Sequence, residues 1–175
     1  MIFMIYRLFL SFVIVALCYV CGRNYSMKYI VREKNIGIMC NCLRQLLFNI
    51  QFLNMPLSQS FLNISKNEKN VVGEMFEYIG KGMCESKSDM CNLWKDALDL
   101  YKDELLLREE EIQILIDFAK RLGTGDRNNE TSNIECTVLR LKSMEEEALN
   151  EKMGNVKMFR GMGLLTGIFI VIMLL

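Results

Sequence analysis

Residues 109–123 read EEEIQILIDFAKRLG. Glu109, Glu110 and Glu111 load the first turn of a helix with negative charge, which complements the positive end of the helix dipole. Ile112, Leu115, Ile116 and Ala119 recur at helical spacing and predict one buried face. Lys120 and Arg121 stand in the last turn, and Gly123 fits the position just past a helix end. The stretch is a short amphipathic helix with both of its ends written into it.

The flanking segments follow the same period. Downstream, the polar run 124–132 predicts a loop. Ile134, Val138, Leu141, Met144 and Ala148 then open a long final helix, with Glu145, Glu146 and Glu147 mostly on its wet side. Upstream, Trp94, Ala97, Leu98 and Tyr101 form one apolar stripe, with Trp94 expected in the core. Val72, Phe76, Ile79 and Met83 form another. Leu57, Phe61 and Ile64 mark a short helix whose first turn suits Pro56. Ile36, Met39, Leu43, Leu46, Ile50 and Leu53 step by threes and fours along a longer one. Pro56 is the chain's one proline, and nothing alternates with period two over a useful length. The fold class is all-α. Residues 23–160 predict a bundle of about five to six helices, large enough to bury a core without disulfides or metal.

The two ends are different in kind. Residues 8–22 carry no charge, and residues 1–22 carry only Arg7. A membrane-spanning helix needs about 20 apolar residues. Residues 1–22 reach that length if Arg7 snorkels to the near interface. A cleaved signal peptide has a similar layout and stays open as an alternative. Residues 161–175 read GMGLLTGIFIVIMLL, a segment apolar on every face. Its fifteen residues span only about 22 Å at the helical rise, against a hydrocarbon core of about 30 Å. Extension back to Val156 reaches the full length if Lys157 and Arg160 snorkel outward. Arg23, Lys28, Arg32 and Lys34 follow the first segment, and Lys152, Lys157 and Arg160 precede the second. The positive-inside rule then places residues 23–160 in the cytosol, between transmembrane helices at 1–22 and 161–175. The expected location is a bacterial cell membrane.

The composition excludes several functions. With 21 basic and 21 acidic residues the net charge is zero, which removes the electrostatic footprint of a nucleic-acid binder. The chain has no histidine, so no Ser-His-Asp or Cys-His device and no His-ligated metal can form. Cys40, Cys42, Cys84, Cys91 and Cys136 are an odd set, as in a reducing compartment. Cys40-Asn41-Cys42 with Cys84 and Cys91 lacks the close Cys-x-x-Cys pairs of zinc sites. Gly123-Thr124-Gly125 lacks the strand before it and the Gly-Lys-Ser/Thr tail of a phosphate loop. The acidic triplets 109–111 and 145–147 are solvated faces and dipole complements. No enzyme activity, cofactor or metal is expected. Two interaction features remain. Gly123, Asp126 and Arg127 form an exposed turn that a partner could contact. Gly163-x-x-x-Gly167, with Gly161 nearby, matches the small-residue pattern that lets membrane helices approach closely. A homo-oligomer is compatible with either.

The order of these features resembles the stage III sporulation protein AB family. That family shows a helix ending in Leu-Gly followed by Asp, here Leu122, Gly123 and Asp126. A long helix with a Glu-Ala pair follows, here Glu147 and Ala148. A basic-aromatic step then leads into a Gly-rich terminal segment, here Lys157, Met158, Phe159, Arg160, Gly163 and Gly167. Leu46, Ile50, Pro56, Leu57, Phe76, Trp94 and Leu98 also sit where the family carries similar residues. Asn49, Met55 and Glu130 depart from its usual acidic, small polar and glutamine residues. Met55 forfeits a side-chain cap, unless Asn54 supplies the oxygen, at about 1 kcal/mol.

The resemblance implies a mother-cell membrane protein of a trans-envelope complex facing the forespore. It implies a cytosolic domain like the F-type platform proteins of type II secretion. The partners it implies are sister sporulation membrane proteins and a cytosolic secretion-type ATPase. The expected function is a non-catalytic membrane platform or scaffold in that secretion-like complex. A membrane-anchored helical regulator or adaptor unrelated to secretion is the alternative.

Overall fold

The computed structural model describes residues 2–85, 89–123 and 127–174. Seven helices account for nearly all of them: α1 Ile2–Gln51, α2 Leu57–Asn67, α3 Val71–Cys84, α4 Met90–Leu100, α5 Lys102–Leu105, α6 Glu109–Arg121 and α7 Arg127–Leu174. No strand occurs among the described residues. The chain divides into two units. One is formed by Met1–Val31 with Ala148–Leu175, the other by Arg32–Glu147.

The second unit is the helical bundle, and its centre is aromatic. Trp94 on α4 is fully buried. Its ring lies 5.4 Å from Phe118 of α6, and 6.1 Å from both Phe61 of α2 and Phe76 of α3. All three contacts are edge-on, the arrangement that ring quadrupoles favour. One side chain thus joins four helices. Ile36, Met39, Leu43, Leu46 and Ile50 line this core from α1, and Ile134, Val138 and Leu141 line it from α7. Glycines on α3 let its neighbours come close. A Cβ at Gly80 would press on Leu62 and Phe61 of α2 at 3.0–3.1 Å, and one at Gly82 would meet Leu93 of α4 at 2.6 Å.

Three expectations need correction, and one element is new. Leu53 is exposed, not part of the α1 stripe. The helix has already ended at Gln51, Asn54 takes a left-handed φ of 52°, and the Met55 N–H bonds back to the Asn49 carbonyl at 3.1 Å. The loop expected over 124–132 is too long, because α7 begins at Arg127. The four-residue helix α5 is absent from the sequence reading, being too short to show a period. The buried face of α6 is turned from the expected one. Ile114, Leu115, Phe118 and Ala119 are buried, Ile112 and Ile116 only half so, and Glu111 is buried with them. α2 starts one residue later than Pro56 in the first turn would give: Pro56 is its N-cap, and it makes no side-chain capping bond.

In the first unit, Phe159 of α7 packs on two tyrosines of α1. Its ring centroid lies 4.7 Å from that of Tyr25 and 6.0 Å from that of Tyr29. Leu17, Val20, Leu165, Phe169, Ile172 and Met173 are exposed large apolar residues of this unit. Among the described residues, no helix is long and apolar enough to cross a membrane. The spans at 1–22 and 161–175 stay a reading of the sequence.

Candidate functional site

A buried, hydrogen-bonded polar cluster of the bundle lies where α5 hands over to α6. Glu111 is 0% exposed, which would be costly for a lone carboxylate. Two partners offset that cost. Its Oε1 accepts from the Arg32 guanidinium, from Nε at 3.0 Å and from Nη2 as a close ion pair. Its Oε2 accepts the Arg108 backbone N–H at 2.5 Å. Arg108 is the N-cap of α6 and Glu111 its third residue, so the carboxylate reaches back to an amide that the helix leaves unbonded.

One turn along α1 from Arg32, Asn35 holds the other side of the junction. Its Nδ2 donates to the carbonyls of Glu104 at 3.1 Å and Leu105 at 3.0 Å, at the end of α5. Leu106 then turns the chain with a left-handed φ of 53°. Two α1 residues three apart therefore grip the end of one helix and the start of the next. Arg32, one of the basic residues that follow the first segment, is thus a structural residue buried in the bundle. Glu111 likewise leaves the solvated acidic triplet, while Glu109 and Glu110 stay exposed.

The outer side of this junction is open. Lys102, Leu107, Arg108, Glu109, Glu110 and Ile112 line a shallow pocket of about 380 Å³. Arg108 Nη1 also stands 3.9 Å from Glu147 of α7, a distance at which exposed pairs contribute little.

The second candidate is the turn between α6 and α7. Gly123 has φ +78°, where a side chain would be strained, and its N–H donates to Glu130 Oε1 at 3.2 Å. Asn133 Nδ2 donates to the Phe118 carbonyl at 3.2 Å. The first turns of α7 thereby bond the loose end of α6. Arg127 is the first residue of α7, and Asp126 lies outside the described residues. In the terminal segment Gly161 is exposed, and a Cβ there would meet nothing within 4 Å. The surroundings of Gly163 and Gly167 lie outside the described residues.

Among the described residues, the thiols join no group of three or more that could hold a metal ion. Cys40 and Cys42 are buried on α1, Cys91 is half-buried, and Cys84 and Cys136 are exposed. Burial, helped by the charge of Glu145, pushes the Cys40 thiol up to about 11. Burial, then Glu68, pushes Cys42 up to about 12. Neither thiol is a nucleophile in the folded chain.

Sequence reasoning missed Arg32, Asn35 and the burial of Glu111. The available signal was a carboxylate at the third position of a helix, together with two polar residues one turn apart just ahead of the Ile36 stripe.

Comparison with known proteins agrees with this architecture. The profile of the stage III sporulation protein AB family matches residues 7–175. Stage III sporulation protein AB of Bacillus subtilis (strain 168) is 24% identical over 164 residues, covering 94% of this chain and 95% of that one. A solved structure of a stage III sporulation protein AB has a TM-score of 0.65 at 22% identity, covering 71% of this chain and 98% of that one. That likeness shows a shared fold. Because the profile runs from residue 7 to the end, the chain belongs to the stage III sporulation protein AB family.

Proposed function

We propose that this chain is a non-catalytic scaffold of a sporulation-specific, secretion-like complex between mother cell and forespore. In this reading residues 1–22 and 161–175 anchor it in the membrane. The bundle faces the mother-cell cytosol and docks a secretion-type ATPase beside sister membrane proteins. The turn at Gly123, Asp126 and Arg127 is the candidate contact, and Gly161, Gly163 and Gly167 are the candidate face for packing between membrane helices.

The observation that carries the anchoring is the Tyr25–Phe159 ring contact at 4.7 Å. It brings position 25 of α1 beside position 159 of α7. The uncharged N-terminal stretch ends at Gly22 and the uncharged C-terminal one begins at Gly161. Each boundary therefore lies within about one helical turn of the same contact. Two apolar ends that start at one level suit a single membrane surface. The exposed Leu17, Val20, Leu165, Phe169, Ile172 and Met173 would then face lipid instead of water.

Thiol labelling tests the topology. A membrane-impermeant maleimide applied to intact cells should leave Cys84, Cys91 and Cys136 unlabelled. The same reagent should label the exposed Cys84 and Cys136 after permeabilisation. Labelling in intact cells would overturn the cytosolic placement.

A further inference from the structure

We infer that the ring contact of the first unit centres a basic collar that selects lipids with anionic phosphodiester headgroups. This rests on the membrane anchoring proposed above and gives that surface a chemistry.

The charge of the chain is segregated between its two units. The unit Met1–Val31 with Ala148–Leu175 holds six basic residues (Arg7, Arg23, Lys28, Lys152, Lys157, Arg160) and one acidic residue, Glu151, a net of +5. The whole chain is neutral, so the bundle carries the compensating −5. Five of the six basic residues lie at 23–28 and 152–160, beside the uncharged ends.

The ring contact brings three of them, Arg23, Lys28 and Lys157, into one stretch of the unit. Tyr25 and Tyr29 of α1 flank Phe159 of α7. Lys28 therefore stands near the level of Lys157, with Arg23 about one helical turn closer to the uncharged ends, and all three are exposed. Lys28 Nζ lies 5.7 Å from the Tyr25 ring centroid. At the helical rise, 23–28 spans about 7.5 Å and 157–160 about 4.5 Å. A headgroup layer is of similar depth, about 5–8 Å on each side of the hydrocarbon. Aromatic rings with a polar edge favour that layer. Basic side chains in it attract anionic lipid, an attraction that salt screens.

The test uses the full-length chain reconstituted in phosphatidylcholine vesicles carrying trace spin-labelled phosphatidylglycerol or spin-labelled phosphatidylcholine. Electron paramagnetic resonance reads the motionally restricted fraction of each. Phosphatidylglycerol should associate about threefold more than phosphatidylcholine at low salt, and near equally at about 1 M salt. The variant R23Q/K28Q/K157Q should lose the preference. R23K/K28R/K157R should keep it, which separates charge from a folding defect. Equal association with the unaltered chain would overturn the collar, as would a preference that survives in the glutamine variant. If the chain does not float with the vesicles and restricts neither lipid, the anchoring itself fails.

Discussion

Arg32 and Glu111 are 79 residues apart in the chain, and they form an ion pair inside the helical bundle. Arg32 sits where the bundle begins on α1, and Glu111 sits in the first turn of α6. The pair is only part of the arrangement, because the second carboxylate oxygen caps Arg108. The same carboxylate thus starts a helix and fixes it to another.

Removing one partner should therefore be severe. Glu111→Ala or Arg32→Ala leaves a charge buried without its counter-ion, at about 3–5 kcal/mol. Replacing both by apolar residues of similar volume, Arg32→Met with Glu111→Leu, should recover most of the loss. The Arg108 amide stays uncapped in that double variant, at about 1 kcal/mol. Thermal unfolding of the full chain in detergent, followed by the fluorescence of its one tryptophan, measures all three.

Two glycines should respond in opposite directions. A Cβ on Gly73 would fall 1.8 Å from the Glu68 carbonyl oxygen. Gly73→Ala must push backbone aside and should destabilise by about 1–3 kcal/mol. Gly154 lies inside α7 with nothing within 4 Å of a new Cβ. Gly154→Ala should stabilise by about 0.5–1 kcal/mol, through helix propensity and the unfolded chain. Melting curves of the two variants against the parent chain check the signs.

The contrast between such sites tells what the sequence can carry. Stripes such as Ile36, Met39, Leu43 and Leu46 are legible because burial repeats with the helical period. The ends of α6 are legible because Glu109, Arg121 and Gly123 each serve a local electrostatic or backbone need. Glu111 is not, since its first-turn place looks the same whether it faces water or an arginine 79 residues away. The turned face of α6 follows from it. Once Glu111 is inside, Ile114 and Phe118 lie inside too, at spacings of three and seven. Leu53 fits its stripe by spacing alone and fails because Asn54 reverses the backbone. Of the candidate site residues, Gly123 shows its turn plainly, whereas the clamp of Arg32 and Asn35 has no local signature.

The aromatic hub makes separable predictions. Trp94→Ala should cost about 3–5 kcal/mol, since it opens a cavity shared by four helices. Ser60 is buried on α2, and its hydroxyl finds no hydrogen-bond partner among the described residues. Ser60→Ala removes that unmet group and suits a helix better, so it should stabilise by about 1 kcal/mol. Circular dichroism melts report both without the indole signal.

The buried thiols give the bundle an alkaline limit. Cys40 and Cys42 are raised from an ordinary 9.0 to about 11 and about 12. The fold keeps these protons longer than the unfolded chain does, so the unfolded state binds fewer protons as pH rises. Their contribution is fully present below pH 9. It falls between pH 9 and 11 for Cys40, and between pH 9 and 12 for Cys42. Cys42→Ala should flatten this loss in a pH series of unfolding curves. Ellman's reagent at pH 8 should titrate Cys84 and Cys136 at once, and Cys40 and Cys42 only on unfolding.

The docking role is tested most directly by copurifying the full-length protein from sporulating cells and identifying what comes with it. A cytosolic secretion-type ATPase should be recovered together with small membrane proteins. Reversing the charges of the turn, Asp126→Arg with Arg127→Glu, should reduce the ATPase several-fold while the membrane proteins stay. Recovery of the membrane proteins with no ATPase from the unaltered chain would contradict the account.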